Sequence, residues 1–291
     1  METTELLKKV RAIEIKTRGL SKQIFSGEYH SAFKGRGMAF SEVREYIPGD
    51  DIRAIDWNVT ARFNHPYIKV FEEERELTFM LLVDVSASGE FGTIKQFKKD
   101  QVTEICAVLA FSAIQNNDKV GIIFFSDQIE KFIPPKKGKS HILRIIRELI
   151  EFQPVHKKTN IAMALRYFSN VIKKRSTAFV LSDFIDENFH DAMKIANKKH
   201  DIVALQIYDK REAELPKVGL IHFQDAETGK MLLIDTSDRK TRENYENWWE
   251  KKQEYIDDTF TKCGVDSTMI RADENYVPAL MKLFKKRGSR K

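Results

Sequence analysis

From Leu77 onward, short unbroken apolar runs alternate with segments of helical period. "LTFMLLVDVS" (77–86), "KVGIIFFSD" (119–127), "STAFVLSDF" (176–184) and "DIVALQIYD" (201–209) are continuous runs, the pattern of strands covered on both faces. Between the first two lies "QFKKDQVTEICAVLAFSAIQNN", in which Val102, Ile105, Cys106 and Leu109 recur at helical spacing. Further helices are predicted near 141–151 and 160–174, with a short one before Asp201. Strands alternating with helices imply parallel βαβ units and a sheet with helices on both faces. The expected fold class is α/β.

The flanking regions differ in texture. An amphipathic helix is predicted over 4–14, with Leu6, Leu7, Val10 and Ile13 on one face. Residues 33–76 are dense in Gly, Arg, Asp and aromatic residues; "IPGDD" signals a turn and "YIKVFEEE" a short strand. After Asp209, "VGLIHFQDAETGKMLLIDTSD" reads as a hairpin turning at "ETGK". A helix over 238–262 carrying Trp248 and Trp249, a strand "STMIRA" and a last helix through "ALMKLFKK" follow. The expected organisation is an N-terminal helix and irregular or β extension (1–76), a core (77–210), and a C-terminal hairpin with helices (211–291).

Composition narrows the class. With 291 residues, 42% hydrophobic and 32% charged, the chain can bury a two-sided core. The 49 Lys+Arg nearly balance the 43 Asp+Glu, and only "KKRGSRK" (285–291) concentrates basic charge; this reads as a solvated end, with no specific nucleic-acid binding expected. The two cysteines, Cys106 and Cys263, form no Cys/His cluster, which removes zinc and redox motifs. No apolar stretch reaches the length of a membrane span. The expected location is the cytoplasm.

The chemistry gathers where apolar runs stop. Asp84, Ser86 and Ser88 stand at one strand end in D-x-S-x-S alternation, which points them the same way. Asp183 ends another strand in "VLSDF", and Thr159 opens a helix in "HKKTNIAMAL". In an open parallel sheet, ligands collect at the carboxyl ends of the strands. Two carboxylates and three hydroxyls are an all-oxygen set, suited to Mg²⁺ or Mn²⁺ and unsuited to zinc or copper.

"DVSAS", "TNIAMAL" and "VLSD" resemble the three segments of the metal-ion-dependent adhesion site of von Willebrand factor A domains. The stretch "GRGMAFSEVREYIPGDDIRAIDWNVTAR" resembles the hallmark of the family called domain of unknown function 58, whose members carry such a domain. The resemblance implies a Rossmann-like A domain in which Asp84, Ser86, Ser88, Thr159 and Asp183 take the metal positions. It also implies a partner Asp or Glu completing the metal shell, and an adaptor role beside a MoxR-type AAA+ ATPase in chaperone-like assembly. One departure is Gly89, which stands where a methionine is common.

Alternatives from other classes are a metal-dependent phosphoester hydrolase and a metal-free scaffold in which these loops only cap helices. Against an enzyme, Ser86 replaces the second carboxylate of aspartate-based phosphotransfer sites. No G-x-S-x-G elbow or Walker A motif occurs, and His156 reads as a loop histidine. In 35–76, Arg44, Asp50, Asp51, Arg53, Asp56 and Arg62 are expected to form an ion-pair and hydrogen-bond network fixing the extension against the core, with Trp57 as its apolar anchor; the alternative is a partner-binding surface.

Overall fold

A computed structural model describes residues 3–25, 38–73, 77–87, 98–224 and 231–289. Ser88, Gly89 and the "ETGK" turn lie outside the described residues. Helix α1 and the residues from Thr78 onward form one compact unit; Lys34–Leu77 forms a second.

Six strands make the central sheet of the larger unit: β3 (Thr78–Asp84), β4 (Lys119–Phe125), β5 (Ile129–Lys136), β6 (Thr177–Ser182), β7 (Asp201–Tyr208) and β10 (Asp266–Arg271). Their order is β10-β7-β6-β3-β4-β5. All pairings are parallel except β4 with β5. The expected α/β class, with a mostly parallel sheet, is what the chain adopts.

Helices cover both faces. Helix α3 (Lys98–Gln115) is buried on nearly all sides, as a helix is when a second layer covers it. That layer is α1 (Thr3–Phe25). On the opposite face, α5 (Ile161–Val171), α6 (His190–Lys199) and α8 (Arg239–Cys263) bury Leu165, Phe168, Met193, Ile256 and Phe260 against Met80, Leu82, Ile123 and Val180 of the strands. Helix α4 (Lys139–Glu151) packs beside α3, and α9 (Val277–Gly288) beside β10.

Two elements differ from the sequence expectation. Helix α1 runs well past Glu14, because its contact face continues in small polar residues: Thr17 and Ser21 are fully buried and Ile24 nearly so. Thr17 satisfies its hydroxyl on the Ile13 carbonyl, and Lys16 reaches Glu104 of α3 at 2.6 Å. Strand β5 was not expected, since "FIPPK" carries two prolines. It is an antiparallel edge strand, where a missing N–H is tolerated. Opposite it, Gly121 is forced: a Cβ there would lie 2.8 Å from Met80 Sδ and from the Pro135 nitrogen, and 2.9 Å from the Ile133 carbonyl oxygen.

The segment after β7 forms a one-turn helix, α7 (Lys210–Ala213), then the two-stranded hairpin β8 (Leu220–Gln224) and β9 (Met231–Asp235).

The smaller unit, taken by itself, pairs β1 (Met38–Glu45) with β2 (Tyr67–Glu73) in antiparallel register and holds a short helix, α2 (Trp57–Phe63). Part of the expected polar network is present. Arg44 grips Asp50 with two hydrogen bonds of 2.9 and 2.7 Å, and Asp50 also accepts the Ile47 N–H. Asp51 caps the helical turn Ile52–Ala54, while Asp56 caps α2 and pairs with Lys69 at 3.5 Å. Within this unit, taken by itself, Trp57 is 69% exposed.

Candidate functional site

The chain enters β4 on one side of β3 and later returns to β6 on the other, so strand order reverses at β3. The connections from adjacent parallel strands part at such a switch point and leave a crevice beyond the carboxyl ends. Asp84 is the last residue of β3; Ser182 is the last of β6, and Asp183 follows it directly.

Asp84 gathers hydroxyls from three directions. Its Oδ1 accepts the Ser86 N–H at 3.0 Å, and the Ser86 hydroxyl hydrogen-bonds it as well. Its Oδ2 accepts Ser182 Oγ at 2.6 Å and Thr159 Oγ1 at 3.4 Å. Asp84, Ser86 and Thr159 therefore lie together. Burial pushes the Asp84 carboxyl up to about 6, and the neighbouring Asp183 charge adds to the rise. Burial and a like charge both disfavour the ionised form.

Asp183 adjoins this group but faces a cation of its own. Its Oδ1 accepts the Ile185 N–H at 3.1 Å, which folds the loop back on itself. Its Oδ2 lies 3.5 Å from Lys98 Nζ, and Lys98 also pairs with Glu212 of α7. All three side chains are largely buried. Burial alone lowers a lysine pKa, yet Asp183 and Glu212 together raise that of Lys98. Glu212 is pushed up to about 7, by burial first and by the Asp183 charge, with Lys98 pulling the other way.

The loops are braced to one another through backbone groups. Ala87 N–H donates to the Lys157 carbonyl and Asn160 N–H to that of Ser126, both at 3.0 Å. Asp186 accepts the Ile161 N–H at 2.8 Å, tying the β6 loop to the start of α5, which Asn160 caps. Glu130 completes the frame: it accepts Ser126 Oγ at 2.9 Å, His156 N–H at 3.0 Å and Val155 N–H at 3.4 Å, and its Oε1 is 3.1 Å from His156 Nδ1. Burial would raise the Glu130 carboxyl, but these bonds hold it below the ordinary range. His156 is thus part of a loop clamp, with Glu130 between it and Ser126.

Pockets flank Asp84 on two sides. One, of about 50 Å³, is lined by Ser86, Val102, Phe124 and Phe152. The other, of about 20 Å³, lies among Asp84, Lys98, Ser182 and Asp183 and is about large enough for one water. The donor chemistry suits a hard divalent ion: the converging groups are carboxylates and hydroxyls, and the two aspartates repel each other in its absence. Among the described residues no group of three or more His, Cys, Asp or Glu side chains forms a metal cluster. Any ion here would depend on hydroxyls and water for the rest of its shell.

Ser182, Lys98, Glu212 and Glu130 had no place in the sequence expectation. Ser182 could have been found, since it is the small polar residue that closes an apolar strand just before Asp183. Lys98, 85 residues from Asp183 and 114 from Glu212, left no local signal.

The chain is similar in sequence or fold to several known proteins. The chain is 26% identical over 290 residues to the uncharacterized protein Rv1480 of Mycobacterium tuberculosis, covering 99% of this chain and 91% of that one. Among solved structures, an aerotolerance-related membrane protein from Bacteroides fragilis aligns at 15% identity with a TM-score of 0.48, covering 74% and 100%. The von Willebrand factor A domain of SpRpn10 aligns at 12% identity with a TM-score of 0.39, covering 72% and 95%. No helix among the described residues is long and apolar enough to cross a membrane. Residues 42–255 match the family described as protein of unknown function DUF58, and the chain belongs to that family.

Proposed function

We propose that the chain is a non-catalytic protein-interaction module that binds an acidic group of a partner through a divalent cation, Mg²⁺ or Mn²⁺, held at the β3–β6 switch point. The observation that carries this reading is the convergence of Ser86, Thr159 and Ser182 on Asp84, beside Asp183. Asp84 and Asp183 would supply negative charge, and Ser86, Ser88 and Thr159 hydroxyl oxygen. A bound cation would supply a positive centre able to accept an Asp or Glu from the partner. The residues of this chain fix the loops and keep the two carboxylates close.

The site supports binding better than hydrolysis. Ser126 and His156 both bond to Glu130, so the histidine is not placed as a base for the serine. A triad needs the histidine between nucleophile and acid. The reading extends to an adaptor working with a MoxR-type AAA+ ATPase in the cytoplasm, on family resemblance alone.

Mn²⁺ titration of the wild type and Asp84→Ala by calorimetry tests the cation. Saturable binding in the wild type, lost in the variant, is expected; equal heats in both would remove the metal from the reading. Capture of a MoxR-type ATPase with and without EDTA tests the partner, with loss of capture in EDTA expected.

A further inference from the structure

Lys98 is the least expected group near the site. Its side chain is 4% exposed, and an ammonium buried to that degree is stable only when it is paired. The pairing is double. Asp183 faces it from the end of β6, and Glu212 from the turn after β7. Glu212 is itself fixed, because its Oε2 accepts the Asp209 N–H at 2.9 Å in the capping box that starts α7. Lys98 is thus a cation locked between two carboxylates, one of which belongs to the candidate metal set.

The charge balance gives this arrangement a consequence. Asp84, Asp183 and Glu212 bring three potential negative charges, and Lys98 cancels one. A divalent ion would cancel the remaining two. An ammonium in contact with Asp183 also repels any second cation that approaches the same carboxylate, and the effect is strong in a buried setting. Resting on the metal-binding reading above, we propose that Lys98 is the resident counter-ion of the site. It holds Asp183 in place before a divalent ion arrives and weakens the site for that ion, while Glu212 acts as a positioning residue that keeps Lys98 from pairing with Asp183 alone.

The test is Mn²⁺ binding to the full chain, read from the electron paramagnetic resonance signal of free Mn²⁺ and from the Mn²⁺-induced change in melting temperature. The chains compared are wild type, Lys98→Met, Lys98→Arg and Glu212→Gln. Removing one charge at such a distance is expected to tighten Mn²⁺ by about tenfold or more in Lys98→Met, with a larger Mn²⁺-induced rise in melting temperature than in the wild type. Lys98→Arg, which keeps the charge, is expected to bind as the wild type does. Glu212→Gln is expected to weaken binding, and it carries the test if Lys98→Met does not fold.

Wild-type binding that Lys98→Met leaves unchanged or weaker overturns the counter-ion role and leaves the metal site standing. Binding that appears only in Lys98→Met supports the role of Lys98 and revises the metal reading for the wild type. No binding in either chain overturns both.

Discussion

Ser182 Oγ lies 2.6 Å from Asp84 Oδ2 and joins the ends of two adjacent parallel strands across the switch point. The same hydroxyl accepts the Phe184 N–H at 3.0 Å, so one buried serine sets both the Asp84 carboxylate and the turn that presents Asp183. A hydroxyl that donates to a carboxylate and accepts from the backbone is worth more than an average hydrogen bond. Ser182→Ala is expected to cost about 1–3 kcal/mol and to raise the Asp84 carboxyl further. Denaturant midpoints, with a carbonyl-carbon NMR titration of Asp84, check both effects; an unchanged midpoint would demote Ser182 to a bystander.

Glu130 governs the opposite wall. Its carboxylate holds Ser126 and the N–H groups of Val155 and His156, and so fixes the loop that carries Thr159. Glu130→Ala leaves those donors without their acceptor, at a cost of about 1–3 kcal/mol. The 155–159 amides are expected to exchange faster with deuterium while those of β3 and β6 keep their protection. Uniform loss of protection would mean that Glu130 supports the whole fold and not this loop.

Much of the architecture was readable because buried parallel strands announce themselves as unbroken apolar runs, and 78–84, 119–125, 177–182 and 201–208 fall inside such runs. Asp84, Ser86 and Thr159 were readable because each sits where such a run stops or the next helix begins. Helix α1 past Glu14 was not, since Thr17 and Ser21 bury small polar side chains that apolar periodicity cannot register. Strand β5 was hidden by Pro134 and Pro135, which only an edge strand accommodates. Lys98 and Glu212 meet through tertiary packing alone. The exposure of Trp57 at the first turn of α2 was not readable either, since an aromatic residue among charged ones carries no signal of the face it takes.

Gly121 permits close approach of the prolines in β5. Any side chain there must displace backbone atoms of Ile133 and Pro135, which have no free rotamer to yield. Gly121→Ala is expected to destabilise the chain by about 1–3 kcal/mol, the usual cost of overpacking. A thermal melt measures it directly, and a loss below about 0.5 kcal/mol, the range of ordinary surface substitutions, would show that the β4–β5 edge yields.

Trp57 offers a cleaner separation of stability from binding. Because its ring is 69% exposed, Trp57→Ala is expected to leave melting within about 0.5 kcal/mol of the wild type, as for surface sites in general. Asp56→Ala removes the cap of α2, which accepts the Asn58 and Val59 N–H groups, and is expected to lower the melting temperature measurably. Melting curves of the two variants side by side test the contrast; a marked loss in Trp57→Ala alone would support the anchoring role.

His200 gives the chain an acid limit. Its ring is fully buried, 4.3 Å from the Phe168 ring between centroids, and neither nitrogen has a hydrogen-bond partner among the described residues. Burial, with the charges of Lys199 and Arg175, lowers its pKa to about 4. The unfolded chain takes up this proton near the ordinary value of about 6.5, so between those limits it binds more protons than the folded chain does. Stability contributed by neutral His200 is therefore complete above pH about 6.5 and lost progressively as pH falls toward 4, by up to about 3 kcal/mol. Asp84 and Glu212, whose pKa values are raised, act in the opposite sense as pH falls, so the contribution must be isolated by difference. His200→Phe keeps a ring against Phe168 without a titrating group, and is expected to match or exceed wild-type stability at pH 7. Its advantage should widen steadily as pH drops from 6.5 to 4.5. Urea midpoints of both chains across that range decide it: parallel curves would show that His200 takes its proton in the folded state as readily as in the unfolded one.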